Sequence, residues 1–164
     1  MSKSRFTPRQ LATAGIIAAI YAVLTLFLPI PQYGGVQFRV AEAMTVLPFI
    51  MPEAVPGLVV GCFIANLLGS PMIVDCIFGT AATLLAALMT SHVKNRYLAP
   101  LPPVLCNALI VGAEIALFFP TEGTAFWAAY AWNAFTVGLG EALVCFLLGL
   151  PLLRGVENAK LTRR

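Results

Sequence analysis

Residues 11–28 read LATAGIIAAIYAVLTLFL, eighteen positions without a charge between Arg9 and Pro29. A helix needs roughly 20 apolar residues to cross the hydrocarbon core of a bilayer. Lys3, Arg5 and Arg9 precede the run, as basic residues precede a secretory signal. However, the run is longer than a signal's apolar core, and no small-x-small cleavage site follows it. It is expected to stay in place as a first membrane span.

The rest of the chain agrees with that span. Of its 164 residues, 60% are hydrophobic and 10% charged, with a formal charge of +3, and the mean hydropathy is +0.90. Soluble domains carry about 25% charged residues. This composition excludes a soluble enzyme, a nucleic-acid-binding domain and a disordered tail. It predicts an all-α integral membrane protein in contact with lipid, with no nucleic-acid partner. Spans of roughly 20 residues allow at most six crossings and leave almost nothing for an extramembrane domain.

Proline marks the joints, because it removes a helix hydrogen bond and turns the preceding residue away from helix. Pro8, Pro29, Pro31, Pro52, Pro56, Pro71, Pro100, Pro102, Pro103, Pro120 and Pro151 stand at or near the ends of apolar runs; only Pro48 lies clearly inside one. Six helices are expected in one membrane domain: 9–28, 38–51, 54–69, 72–92, 102–119 and 124–153. The second and third are short and need tilt, or cover from neighbours.

Charge sets the orientation, since cytoplasmic segments collect Lys and Arg. With the N-terminus inside, Lys3, Arg5, Arg9, Lys94, Arg96, Arg154, Lys160, Arg163 and Arg164 are all cytoplasmic, and so is the C-terminus. Arg39 is the tenth cation and the exception. Glu53 and Glu157 accompany the cations, whereas Glu42, Asp75, Glu114, Glu122 and Glu141 fall in spans or at outer ends. Charges within a bilayer usually face a cavity or a partner. A polar, net-acidic pocket is expected in the outer half, suited to a cation or a ligand rich in hydrogen-bond donors.

Several constellations line up with that pocket. Arg39 and Glu42, three apart, share a helix face. They read either as an ion pair anchoring a short helix or as pocket wall. The preceding loop offers Tyr33, a flexible Gly34-Gly35 pair, and the amides of Gln32 and Gln37; Tyr33 and Gln37 are candidate lid residues. Asn66 and Asp75 flank the turn Gly69-Ser70-Pro71, where Asp75 also suits a helix N-terminus. Asn107 and Glu114, seven apart, lie on one face of the fifth span, as pocket wall or as interhelical hydrogen-bonding groups. On the sixth, Trp127 and Tyr130 fit an interfacial belt. Trp132 is a candidate plate for a planar ligand, with Asn133 and Glu141, eight apart, on roughly one face. A carboxylate accepts two parallel N–H bonds, as the amidine-like edge of guanine supplies them.

Small residues recur every four positions: Ala14, Ala18 and Ala22 on the first span, and Gly57, Gly61, Ala65 and Gly69 on the third. Such stripes serve close packing within the chain or docking of another membrane subunit. Cys62, Cys76, Cys106 and Cys145 lie in apolar stretches without a CxxC and read as small hydrophobes. No catalytic set is present: His92 is the only histidine, and there is no metal-ligand cluster, cofactor motif or Gly-rich phosphate loop. A carrier of this kind needs an ion gradient or a separate motor.

Phe38-Arg39-Val40-Ala41-Glu42-Ala43 leading to Pro48, the run from Pro56-Gly57-Leu58 to Asn66-Leu67-Leu68-Gly69, Asp75-Cys76-Ile77-Phe78-Gly79-Thr80, and Leu101-Pro102-Pro103-Val104-Leu105-Cys106-Asn107-Ala108 resemble the QueT family across nearly the whole chain. These are substrate-binding (S) components of energy-coupling factor (ECF) transporters, assigned to uptake of queuosine precursors. The resemblance implies a six-helix bundle in a bacterial plasma membrane. It also implies a transmembrane coupling protein and two cytoplasmic ATPases as partners, docking through Ala14, Ala18 and Ala22, and a deazaguanine or queuine ligand. Another vitamin-sized heterocycle, or a structural membrane protein whose buried charges are interhelical glue, are the alternatives.

Overall fold

The computed structural model describes residues 6–33, 37–120 and 122–159. Among these the fold is entirely helical. Helix α1 (Pro8–Phe27) starts at a capping box: the Gln10 amide donates to Thr7 Oγ1, and the Thr7 amide donates to Gln10 Oε1 at 2.9 Å. Pro8 occupies the first turn, where its missing N–H costs nothing. Leu28, before Pro29, is already extended and ends the helix.

The second segment departs from expectation. Val40–Phe49 winds as a 3₁₀ helix rather than an α-helix, and Ala41 through Pro48 are all buried. It is followed by α2 (Ala54–Gly69) and α3 (Val74–His92). The fifth segment is compound: α4 (Leu101–Cys106), a π turn (Asn107–Val111) and α5 (Gly112–Phe118). The sixth is α6 (Phe126–Val144), a second π turn (Cys145–Gly149) and α7 (Leu150–Asn158). Proline explains the second π turn. Pro151 sits in the first turn of α7, where a regular helix would drive its ring into the carbonyl four residues back. The wider turn just before it relieves that clash.

Among the described residues, four helical stretches are long and apolar enough to cross a membrane: Pro8–Phe27, Val74–His92, Arg96–Phe118 and Phe126–Asn158. Val40–Phe49 and Ala54–Gly69 are shorter. At about 2.0 Å per residue for a 3₁₀ helix and about 1.5 Å for an α-helix, they span about 20 and 24 Å. Both fall short of the roughly 30 Å hydrocarbon core. The expected six segments are present, but only four reach spanning length.

Helices α1 and α2 meet through their small residues. A Cβ on Gly57 would lie 2.7 Å from the Ala14 carbonyl oxygen, and one on Gly61 would lie 2.8 Å from that of Ala18. Ile17, Tyr21, Met44, Leu47 and Leu58 fill the core between α1, the 3₁₀ helix and α2. A second cluster joins Ala82, Val111, Ile115 and Val137. The outward faces carry Ile16, Val23, Phe27, Leu68, Ile77 and Leu147, each at least half exposed. Apolar surface on this scale is met by lipid.

Several charged ends gather on one side of the bundle. Arg9 and Glu53 line one groove together with Leu152 and Val156 of α7. At the same α7 end, Arg96 pairs with Glu157 at 3.5 Å, and Arg154 donates to the Tyr97 hydroxyl at 3.4 Å. The start of α1, the turn before α2, the α3–α4 connection and α7 therefore share one end of the bundle. Lys3, Arg5, Lys160, Arg163 and Arg164 lie outside the described residues.

Candidate functional site

A polar network runs through the interior from the loop after α1 to the second π turn. Its hub is Arg39, 7% exposed. Arg39 Nε donates to the Gln32 carbonyl at 2.7 Å, and the guanidinium lies 4.8 Å from the centroid of the Tyr33 ring, a cation–π distance. The Tyr33 hydroxyl donates to the Ala65 carbonyl of α2 at 2.8 Å. The Phe38 amide closes the loop on the Pro31 carbonyl at 2.8 Å. At its other side the loop meets α6, where a Cβ on Gly140 would collide with the Gln37 carbonyl. The loop therefore lies between α2 and α6. Gly34 and Gly35 lie outside the described residues.

Below the loop the side chains connect without a break. The Tyr21 hydroxyl donates to Glu42 Oε1. Glu42 and Glu141 lie close enough to interact, as do Glu141 and Asn107. Cys145 Sγ lies 3.4 Å from Glu141 Oε1 and 3.4 Å from the Glu42 carbonyl. On the other side Asn66 Nδ2 donates to the Asp75 carbonyl at 3.0 Å. The Asp75 carboxylate accepts from Ser70 Oγ and faces Glu114. Gly79 makes room for this junction: a Cβ there would lie 2.7 Å from Asn66 Nδ2 and 3.9 Å from Arg39 Nη1.

Seven of the expected residues thus converge: Arg39, Glu42, Asn66, Asp75, Asn107, Glu114 and Glu141. They bring four carboxyls and one guanidinium into the same network. Among the described residues, buried side-chain atoms without a hydrogen-bond partner occur on Gln32, Glu42, Asn66, Thr80, Asn107 and Glu114. Both amide atoms of Gln32 are among them. A buried polar atom left unpaired costs about 1–3 kcal/mol, so native interiors hold few of them. Glu42, Asn66, Asn107 and Glu114 belong to the network, and Gln32 adjoins it through its carbonyl on Arg39; together they mark a place where a polar molecule would be welcome.

The other expected residues stand elsewhere. Trp132 is 65% exposed and faces outward beside Phe135, ring centroids 6.4 Å apart. Asn133 is half-buried. Trp127, 74% exposed, joins Phe126 and Tyr130 in an aromatic group at the start of α6. Ala18 and Ala22 are buried, and Ala14 is half-buried. The backbone at Ala14 and Ala18 lies against Gly57 and Gly61 of α2, where two small-residue stripes let the helices approach closely.

The family model described as QueT transporter matches residues 11–158. The chain belongs to the QueT transporter family. A curated relative, the queuosine precursor transporter QueT of Lactococcus lactis subsp. cremoris (strain MG1363), is 33% identical over 94 residues, 54% of this chain and 55% of the relative. The chain thus aligns with about half the length of the curated relative it matches. No solved structure matches. With four apolar stretches of spanning length, this QueT-family chain is a multi-pass membrane protein.

Some members of the network carry weak signals in the sequence. Tyr21 stands in an apolar span between Ala18 and Ala22, where an aromatic residue reads as core. Cys145 reads as a hydrophobe, yet its thiol touches Glu141 one helical turn back, a neighbour that the spacing of four would have revealed. Gln32 offered only its polarity. In this QueT-family fold the two π turns begin at Asn107 and Cys145, both inside the network, as such turns often fall at functional sites.

Proposed function

We propose that the chain is the substrate-capturing membrane subunit of an importer of queuosine precursors, the S component of an ECF-type transporter. One observation carries the reading: a transporter-family chain holds unpartnered buried polar atoms of Glu42, Asn66, Asn107 and Glu114 in a single network beside a loop. The surplus of carboxyls over cations favours a ligand rich in N–H donors or carrying an ammonium group, as an aminomethyl deazaguanine does. Arg39, Glu42, Asn66, Asp75, Asn107, Glu114 and Glu141 line the site, and Tyr33 and Gln37 belong to the loop that covers it. Both termini face the cytoplasm, and the loop opens to the outside. A transmembrane coupling protein and two cytoplasmic ATPases supply the energy, since the chain has no phosphate-binding loop. They dock along α1, where Ala14, Ala18 and Ala22 form the small-residue stripe and Ala14 is its least buried member.

The test is binding by the purified chain in detergent. Mass spectrometry of the ligand released on denaturation, and titration with the aminomethyl pre-queuosine base, should show a deazaguanine bound one to one. Glu114→Gln should weaken binding about tenfold or more, as loss of a charged hydrogen bond does. Binding of a different vitamin-sized heterocycle in its place would move the substrate assignment. No bound heterocycle and no binding of any tested ring would leave the buried charges as interhelical glue.

A further inference from the structure

We propose that the Gln32 carboxamide reads the ligand's lactam edge, a ring C=O beside a ring N–H. The inference rests on the capture reading above and adds a contact residue and the ligand group it recognises. Gln32 is 6% exposed, and neither its Oε1 nor its Nε2 has a partner. Exchanging the assignment of the two amide atoms changes nothing, because both are unpaired. Its backbone, by contrast, is tied down. Arg39 Nε holds the Gln32 carbonyl at 2.7 Å, Arg39 lies over the Tyr33 ring, and the Tyr33 hydroxyl grips Ala65. The side chain thus springs from a fixed point, so little ordering is left to be done on binding.

A primary carboxamide sets one donor beside one acceptor. Its full complement is a group that does the same in reverse, and a cyclic amide does so in one rigid plane. The rest of the network does not duplicate this. Glu42 Oε2, Asn66 Oδ1 and Glu114 Oε1 are unpaired acceptors, which call for N–H groups on other edges of the ring. Gln32 is the one described residue with an unpaired donor and an unpaired acceptor on the same planar group. It therefore sets specificity for the oxo-bearing edge, while the carboxyls bind amino groups.

The experiment compares two probes on the full chain in detergent: the aminomethyl pre-queuosine base, and its analogue with the ring carbonyl replaced by hydrogen, which loses the adjacent N–H as well. The wild type should prefer the parent by about tenfold to a hundredfold, the scale of one or two buried hydrogen bonds. Gln32→Met keeps length and removes both polar atoms. It should weaken the parent by a similar factor and bind the two probes nearly alike, a coupling that a general loss of folding would not produce. Gln32→Glu keeps the acceptor alone and should weaken the parent while still favouring it, because the remaining acceptor pairs only with the parent's ring N–H. A Gln32→Met protein that binds the parent and keeps the wild-type preference would overturn the Gln32 assignment and leave the capture reading standing. A wild type that binds neither probe would overturn both.

Discussion

The Tyr21 hydroxyl donates to Glu42 Oε1, and both residues are at most 1% exposed. Glu42 Oε2 has no partner, so Tyr21 is the side-chain group that satisfies this carboxyl. Tyr21→Phe keeps the ring and its packing and deletes one hydroxyl. It should destabilise the ligand-free protein by about 1–3 kcal/mol, read as a lower unfolding midpoint in detergent. An unchanged midpoint would mean that the bond contributes nothing. At this scale the sequence was partly legible. Arg39 and Glu42 declare themselves by their charge in an apolar chain. Their partners Tyr21, Gln32 and Cys145 do not, because a phenol, an amide or a thiol in such a chain has ordinary packing roles.

Among the elements, the contact of α1 with α2 is the most exacting. A Cβ at Gly61 would meet Tyr21 Cβ at 2.9 Å and Ala18 Cα at 3.0 Å, whereas Gly15, on the exposed face of α1, has nothing within 4 Å. Gly61→Ala should therefore force the helices apart and cost about 1–3 kcal/mol. Gly15→Ala should be neutral or stabilise by up to about 1 kcal/mol, from helix propensity alone. Thermal unfolding of the two variants checks this, and equal effects would contradict the packing. The stripes themselves were legible as spacing, but their mutual contact was not. The winding of Val40–Phe49 was also hidden. Its apolar run shows no periodicity because all sides are buried, so nothing distinguishes 3.0 from 3.6 residues per turn.

For the molecule as a whole, the sorting of charge predicts a topology that labelling can read. Lys94 and Glu122 are both exposed, in connections on either side of the α4–α5 rod, and the four native cysteines are buried. In intact cells a membrane-impermeant maleimide should label Glu122→Cys, and should reach Lys94→Cys only after permeabilisation. The reverse pattern would invert the orientation. The sequence by itself determined that this is a helical membrane protein, where its helices break, and which residues are charged where charge is costly. Those are local properties, carried by hydropathy and proline. Only the tertiary structure decided which of those residues meet, that Ala14 and Ala18 lie against Gly57 and Gly61 of α2, and that Trp132 turns away from the polar network. Facing depends on the rotation of each helix about its axis, and one extra residue in a π turn swings everything beyond it by about 100°. No pattern read along one segment reports that angle, because it is set by the neighbours the segment packs against.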